Sequence, residues 1–163
     1  MGTQLKQEAW DEFYNLWSAR LLLFARQQTQ SIADAEDILQ EAMVSVWSQR
    51  ERFARIDAGL LFTRIRRLAI DHARGRMRRQ RRESAYGQLE ESSVFIPCES
   101  GFPEELEEAL AALPKEQREV LVLKVWGEQT FESIGKTLEI SPNTAASRYR
   151  YGLERLRREL GEE

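Results

Sequence analysis

The densest run of side chains able to do chemistry lies near the end of the chain, in SPNTAASRYRYGLERLRREL, residues 141–160. Asn143, Thr144, Ser147, Arg148 and Arg150 share one side of a helical pattern, and Arg155, Arg157 and Arg158 follow. All can donate or accept hydrogen bonds at a range suited to base edges and phosphates. A second set is basic: Arg64, Arg67, Asp71, Arg74 and Arg78 fall at i, i+3, i+7, i+10 and i+14, which aligns them as one stripe. A third set is acidic, with Asp34, Asp37, Gln40 and Glu41 beside Glu36. Asp37 and Glu41 are one helical turn apart and could hold a metal, but no second motif supplies further ligands. The single histidine, His72, and single cysteine, Cys98, give no zinc spacing. No acid, base and nucleophile converge, so the expectation is a protein that is not an enzyme, with no metal, cofactor or catalytic residue.

These residues need helices to position them. Ser141 is a good N-cap, and Pro142 at the first helical position lacks only an N–H that would be orphaned anyway. Ala145, Tyr149, Leu153 and Leu156 give that helix its inner face. Upstream, TFESIGKTLEI makes a shorter helix capped by Thr130, with Phe131, Ile134 and Leu138 inward and Gly135 allowing close approach. Helix, three-residue turn, helix with a polar leading face is the helix-turn-helix pattern; an ordinary helical hairpin with a solvated basic face is the alternative. PEELEEALAAL and KEQREVLVLKVW add two more short helices, the second with Val120, Leu121, the Lys124 stem and Val125 inward.

The earlier part of the chain is helical too. Residues 5–28 carry Trp10, Phe13, Tyr14, Trp17, Leu21 and Phe24 as one stripe. DAEDILQEAMVSVW begins a second helix, with Asp34 as its expected cap and Ile38, Leu39, Ala42, Met43, Val46 and Trp47 inward. A polar connection follows, containing Arg52 and Phe53. Then LLFTRIRRLAIDHARGRMRRQRRE bears the basic stripe, with Leu61, Ile65, Leu68 and His72 on its inner face.

Charged residues make up 31% of the 163 and hydrophobic ones 42%, the balance of a globular chain. No apolar run approaches the roughly 20 residues that span a bilayer. MGTQLKQEAWDEF contains no signal core, so a cytoplasmic location without membrane insertion is expected. With nothing after Glu163, regulation by a fused sensory domain is not expected. The net charge of −3 conceals two blocks: nine arginines against one acid from Arg64 to Arg82, then eight glutamates and no cation from Glu83 to Glu108. Clustered arginines repel one another, and a polyanion relieves that repulsion. Residues 84–102, acidic with Ser, Gly and Pro and no sustained period, are expected to be a flexible linker with a reach of roughly 60 Å at full extension.

Taken together, these motifs resemble the bacterial RNA polymerase sigma factors of the extracytoplasmic-function (ECF) group, over nearly the whole chain from Trp10 to Leu160. DAEDILQEAMVSVW resembles the segment that docks on the polymerase β′ clamp helices. LLFTRIRRLAIDHARGR resembles the helix that recognises and opens the −10 element. LAALPKEQREVLVLKVWGEQTFESIGKTLEISPNTAASRYRYGLERLR resembles the −35-reading domain. The resemblance implies an all-α fold of two small helical domains joined by a flexible acidic linker: residues 1–83 for polymerase docking and the −10 element, 84–102 the linker, and 103–163 a helix-turn-helix domain for the −35 element. It assigns Asp34, Asp37, Gln40 and Glu41 to polymerase. Arg52, Phe53, Arg64, Arg67, Asp71, Arg74 and Arg78 go to the −10 element, and Pro142, Asn143, Thr144, Ser147, Arg148, Arg150 and Arg155 to the −35 element. Expected partners are core RNA polymerase (β′ clamp helices and β subunit), promoter DNA and an anti-sigma factor. Leu60, Arg67, Glu139, Asn143, Ala145, Tyr149, Tyr151 and Gly152 depart from the commonest family residues, Glu139 standing where a turn glycine is usual. The linker either lies along the path of nascent RNA or is a plain soluble tether.

Two rival assignments compete with this one. A two-domain DNA-binding regulator that never joins polymerase shares the helix-turn-helix but leaves DAEDILQE unexplained. A helical nuclease would use Asp34, Asp37, Glu41 and His72, and lacks a convergent set of reacting groups.

Overall fold

The computed structural model describes residues 2–53, 55–83, 95 and 101–162. Among these the regular structure is entirely helical: α1 (Gly2–Gln28), α2 (Ile32–Ser48), a single 3-10 turn (Arg50–Arg52), α3 (Ala58–Glu83), α4 (Glu104–Ala111), α5 (Lys115–Val125), α6 (Phe131–Leu138) and α7 (Pro142–Glu159).

The first three helices pack around Leu21, Phe24, Ile38, Ala42, Val46, Leu61, Phe62 and Ile65, all fully buried. Phe24 and Phe62 meet edge to face at 5.4 Å, the geometry ring quadrupoles favour. Toward its N-terminus α1 instead lays down a half-buried aromatic ladder. Trp10 lies 5.9 Å from Phe13, and Phe13 lies 6.3 Å from Trp17. Tyr14 drops out of the expected stripe and is exposed.

Two expectations are corrected here. Asp34 does not cap α2. The Ser31 hydroxyl accepts the Asp34 N–H at 3.1 Å, which starts the helix earlier and leaves the Asp34 carboxylate in the first turn. It still favours the positive end of the helix dipole there. His72 is not on a buried face. Helix α3 has 26 residues and α2 has 17, so α3 runs about 39 Å against about 26 Å and extends past the start of α2, beyond the level where Arg76 meets Asp34. Beyond Ala69 it has no buried side chain among the described residues, and His72 stands exposed with Nε2 3.2 Å from Glu41 Oε2.

The last four helices form a second group. Thr130 caps α6 by accepting the Ser133 N–H, and Ser141 caps α7 by accepting the Thr144 N–H, each at 3.1 Å. The turn between α6 and α7 closes with Ile140 N–H donating to the Gly135 carbonyl at 3.0 Å. A Cβ on Gly135 would lie 2.6 Å from the Ile140 carbonyl oxygen, so the turn itself demands glycine there. Glu139 adopts φ 58°, ψ 45°, the left-handed conformation that the usual glycine takes without strain. Gly152 lets α7 lie against α5, since a Cβ would be 3.3 Å from both the Gln117 carbonyl oxygen and its Cβ.

Helix α5 differs from its expected amphipathic pattern. Arg118 through Leu123 are all buried and Val125 is exposed. The cause is position, because α5 is enclosed by α7 and α6 on its own side and by α1 on the other. The two helical groups therefore touch. Thr63 and Thr137 share a hydrogen bond at 3.0 Å, Gly127 leaves room for the Phe62 ring, and Arg20 donates to the Trp126 carbonyl at 3.1 Å. The expected linker lies outside the described residues except for Phe95, Gly101 and Phe102. Phe95 is buried.

Candidate nucleic-acid interface

The outer side of α3 presents the basic stripe. Arg67, Asp71, Arg74 and Arg78 are exposed, and Arg64, nearer the bundle, is half-buried. Among the described residues none of these five takes part in an ion pair, so the stripe is charged and open along its length. The arginines between them behave otherwise. Arg76 is held by Gln30 at 2.7 Å and by Asp34 at 3.8 Å, and Arg66 turns toward Gln28 and Glu119.

The 3-10 turn carries Arg52, exposed, and is followed by Phe53, half-buried. Lys6 on α1 clasps Glu51 at 2.9 Å and holds its carboxyl below the usual range, through the hydrogen bond first and the ammonium charge second. Sequence patterning missed what these pieces enclose. Trp10, Phe13, Trp47, Phe53 and Ile56 line a cavity of about 310 Å³ whose rim bears Lys6, Arg50 and Arg55. Trp10 and Trp47 meet at 5.0 Å, and the Arg50 guanidinium lies 4.0 Å above the Trp47 ring. An aromatic slot with a cationic rim suits an unstacked base. The usable signal was RERF, cations beside an aromatic, but Trp10 and Trp47 each satisfied a core stripe on their own helix.

The acidic set on α2 separates into two kinds. Asp37 and Gln40 are exposed with the exposed Val44 on the outer face, and Glu41, also exposed, stands on the flank toward α3, 3.2 Å from His72 Nε2. Asp34 is half-buried and turned toward Arg76. No group of three or more potential metal ligands assembles among the described residues.

On α7 the leading face is as expected. Pro142, Asn143, Ser147, Arg150 and Arg155 are exposed, while Thr144 and Arg148 are half-buried. Thr144 is partly committed, because its hydroxyl lies 2.9 Å from that of Ser141. Arg150 folds over Tyr151, 5.0 Å from the ring centre, with Nη2 3.3 Å from the phenolic oxygen. That contact pre-sets the guanidinium on the outer edge of the helix. Phe131 and Tyr149, ring centres 5.7 Å apart, wedge α6 and α7 together beneath it. Two adjoining helices thus hold an exposed N-terminal face in fixed register, the geometry that enters a major groove.

Comparison with known proteins gives the same assignment. Residues 13–79 match the family model for Sigma-70 region 2, and residues 103–156 match that for Sigma-70 region 4. The chain is 32% identical to the RNA polymerase sigma factor CarQ of Myxococcus xanthus, over 96% of this chain and 91% of that one. It is 28% identical to the ECF RNA polymerase sigma factor SigE of Mycolicibacterium smegmatis, covering 96% of this chain and 63% of that protein. In fold it is similar to the sigma factor RpoE solved in complex with the anti-sigma factor NepR from Bartonella quintana. The TM-score is 0.63 at 21% identity, over 93% of this chain and 97% of that one. With its region 2 and region 4 matches in order and a whole-length relative above 30% identity, the chain belongs to the RNA polymerase sigma factors, in their ECF group.

Proposed function

We propose that this chain gives core RNA polymerase its promoter address through three separate surfaces. The open arginine stripe supports this division most directly. Four exposed residues of one helix stand clear of ion pairs among the described residues, while the helix-turn-helix lies on the other helical group. Asp37, Gln40 and Glu41 form the polymerase-docking face against the β′ clamp helices, with Asp34 contributing once it leaves Arg76. The β subunit is the second contact of core polymerase.

Arg64, Arg67, Asp71, Arg74 and Arg78 track the −10 backbone, where each phosphate neutralised contributes about −0.9 to the salt slope. Arg52 and Phe53 guide a base from the opened strand into the cavity that Trp10, Phe13, Trp47 and Phe53 line, where contact with an aromatic wall compensates for the lost pairing. At the −35 element Pro142 and the helix N-terminus approach a phosphate. Asn143, Ser147 and Arg150 read base edges, Thr144 reads only if it releases Ser141, and Arg148 and Arg155 hold the backbone.

The chain does no chemistry of its own; bond formation belongs to the polymerase. No described helix is long and apolar enough to cross a membrane, and we place the chain in the cytoplasm with the promoter. An anti-sigma factor, such as accompanies the Bartonella protein, is the partner that would cover the polymerase-facing surfaces.

The test separates the surfaces. Asp37→Lys combined with Glu41→Lys should abolish assembly with core polymerase while isolated −35 duplex binding survives. Loss of both activities together, in a folded protein, would refute the separation.

A further inference from the structure

Arg150 and Tyr151 are neighbours on α7, and adjacent residues of a helix point about 100° apart. Their side chains meet only because the arginine bends across the outer face of the helix. Its guanidinium carbon lies 5.0 Å from the Tyr151 ring centre, and Nη2 donates to the phenolic oxygen at 3.3 Å. The Tyr151 side chain is exposed, one turn beyond Ser147 and two beyond Thr144, on the side of α7 that carries the −35 contacts. The rotation of α7 beneath it is fixed, because Gly152 sits against Gln117 and Tyr149 against Phe131.

A carboxylate stands within reach of that guanidinium. Glu154 is one turn past Arg150, the i,i+4 spacing at which opposite charges pair on a helix. It pairs instead with Arg158, one turn further on, at 3.3 Å. Glutamate ahead of the cation is the better order along a helix, so the choice follows the chain direction. Arg150 is left with a ring and a hydroxyl as partners, and with no ion pair among the described residues. Its charge and most of its N–H groups stay available in one orientation.

What the pair presents is all donors. The guanidinium has in-plane N–H groups beyond the one given to the phenol, and the phenol, having accepted, still holds its own O–H. In the major groove guanine offers two acceptors, N7 and O6. Adenine and cytosine each place an amino donor there, and thymine offers a single acceptor beside a methyl group. A freely rotating arginine loses rotamer freedom when it binds, whereas one already stacked on a ring has lost it beforehand.

We infer that Tyr151 is a positioning residue for base readout: its ring holds Arg150 away from Glu154 and aims it at one guanine of the −35 element. The inference rests on the reading of α7 as the −35 helix, and it adds both the base and the residue that selects it.

The experiment uses the full chain with core polymerase to select from promoter-length duplexes of random sequence, with base preferences read by sequencing. Wild type should enrich guanine at one base pair of the −35 element, and Arg150→Ala should lose that preference. Tyr151→Ala should lower it about tenfold, or about 1.4 kcal/mol, and leave the other positions as they were. Tyr151→Phe keeps the ring and should stay within about twofold of wild type, since the 3.3 Å contact it removes is a weak hydrogen bond. Glu154→Gln in the Tyr151→Ala background should recover most of the loss, because the competing carboxylate is gone. On the selected duplex, replacing that guanine by 7-deazaguanine, which lacks N7, should weaken wild type more than it weakens Tyr151→Ala. Unchanged guanine preference in Tyr151→Ala would overturn the inference. So would a loss at a base pair other than the one Arg150→Ala affects, or a phenylalanine variant as impaired as the alanine one. A wild-type pool with no enriched −35 sequence would instead remove the reading of α7 itself, and this role with it.

Discussion

Glu139 tests how far backbone geometry in the helix-turn-helix can be turned into energy. At φ 58°, ψ 45° an L residue pays about 1–2 kcal/mol that glycine does not. Glycine returns about 0.5–1 kcal/mol of that through its larger unfolded-state entropy. The Glu139 side chain is exposed and joins no ion pair among the described residues, so its removal adds nothing. Glu139→Gly should therefore stabilise by about 0.5–1 kcal/mol. For a chain of 163 residues that raises Tm by about 1–4 °C in a calorimetric or circular-dichroism melt. Glu139→Ala is the control, since alanine suffers the same left-handed penalty and should leave Tm almost unchanged. Glu128, at φ 54°, is the comparison site. It meets Arg20 at 3.5 Å, so Glu128→Gly should gain less. An alanine variant gaining as much as the glycine variant would place the effect in the side chain and refute the reasoning. The −35 preference should stay the same in every case, because the Gly135–Ile140 bond keeps the turn.

Gly135→Ala should do the opposite: a methyl 2.6 Å from a backbone oxygen cannot be relieved by a rotamer, so a loss of about 2–3 kcal/mol and weaker −35 binding are expected in paired melts and gel shifts. Ser31→Ala should cost about 1 kcal/mol by denaturant titration, whereas Asp34→Ala should cost less, which separates the true cap from its neighbour. Asn143→Ala should relax preference at one or two −35 positions by about 1–3 kcal/mol, measured on a panel of single-base promoter variants. Arg74→Ala should weaken every promoter alike and reduce the salt slope by about 0.9.

Much of this was legible in the sequence because local rules agreed. Ser141, Pro142 and Thr130 are cap and first-turn residues with no competing role, and they sit where their chemistry places them. The arginine stripe was legible for the same reason, since one period explained all five positions. Asp34 misled because two capping residues, Ser31 and Asp34, stand three apart and either could start the helix. His72 misled because periodicity alone does not fix which flank of a helix a position takes; the ring lies beside α2 at Glu41, outside the buried core. The aromatic slot needed Trp10 and Trp47, 37 positions apart, to be placed together. The seam between the domains was invisible for a related reason. Arg26 and Glu107, 81 positions apart, look like any solvated charges until the fold buries them. Phe95 sits in a stretch with no period to mark it.

Reconstituted transcription is the most direct measurement. Purified chain mixed with core polymerase and a fragmented genomic library should yield run-off transcripts from a small set of sites sharing one −10 and one −35 sequence, and core alone should not. Transcripts from the same sites with and without the chain, or no complex between chain and core after every bound inhibitor is removed, would contradict its role in promoter selection.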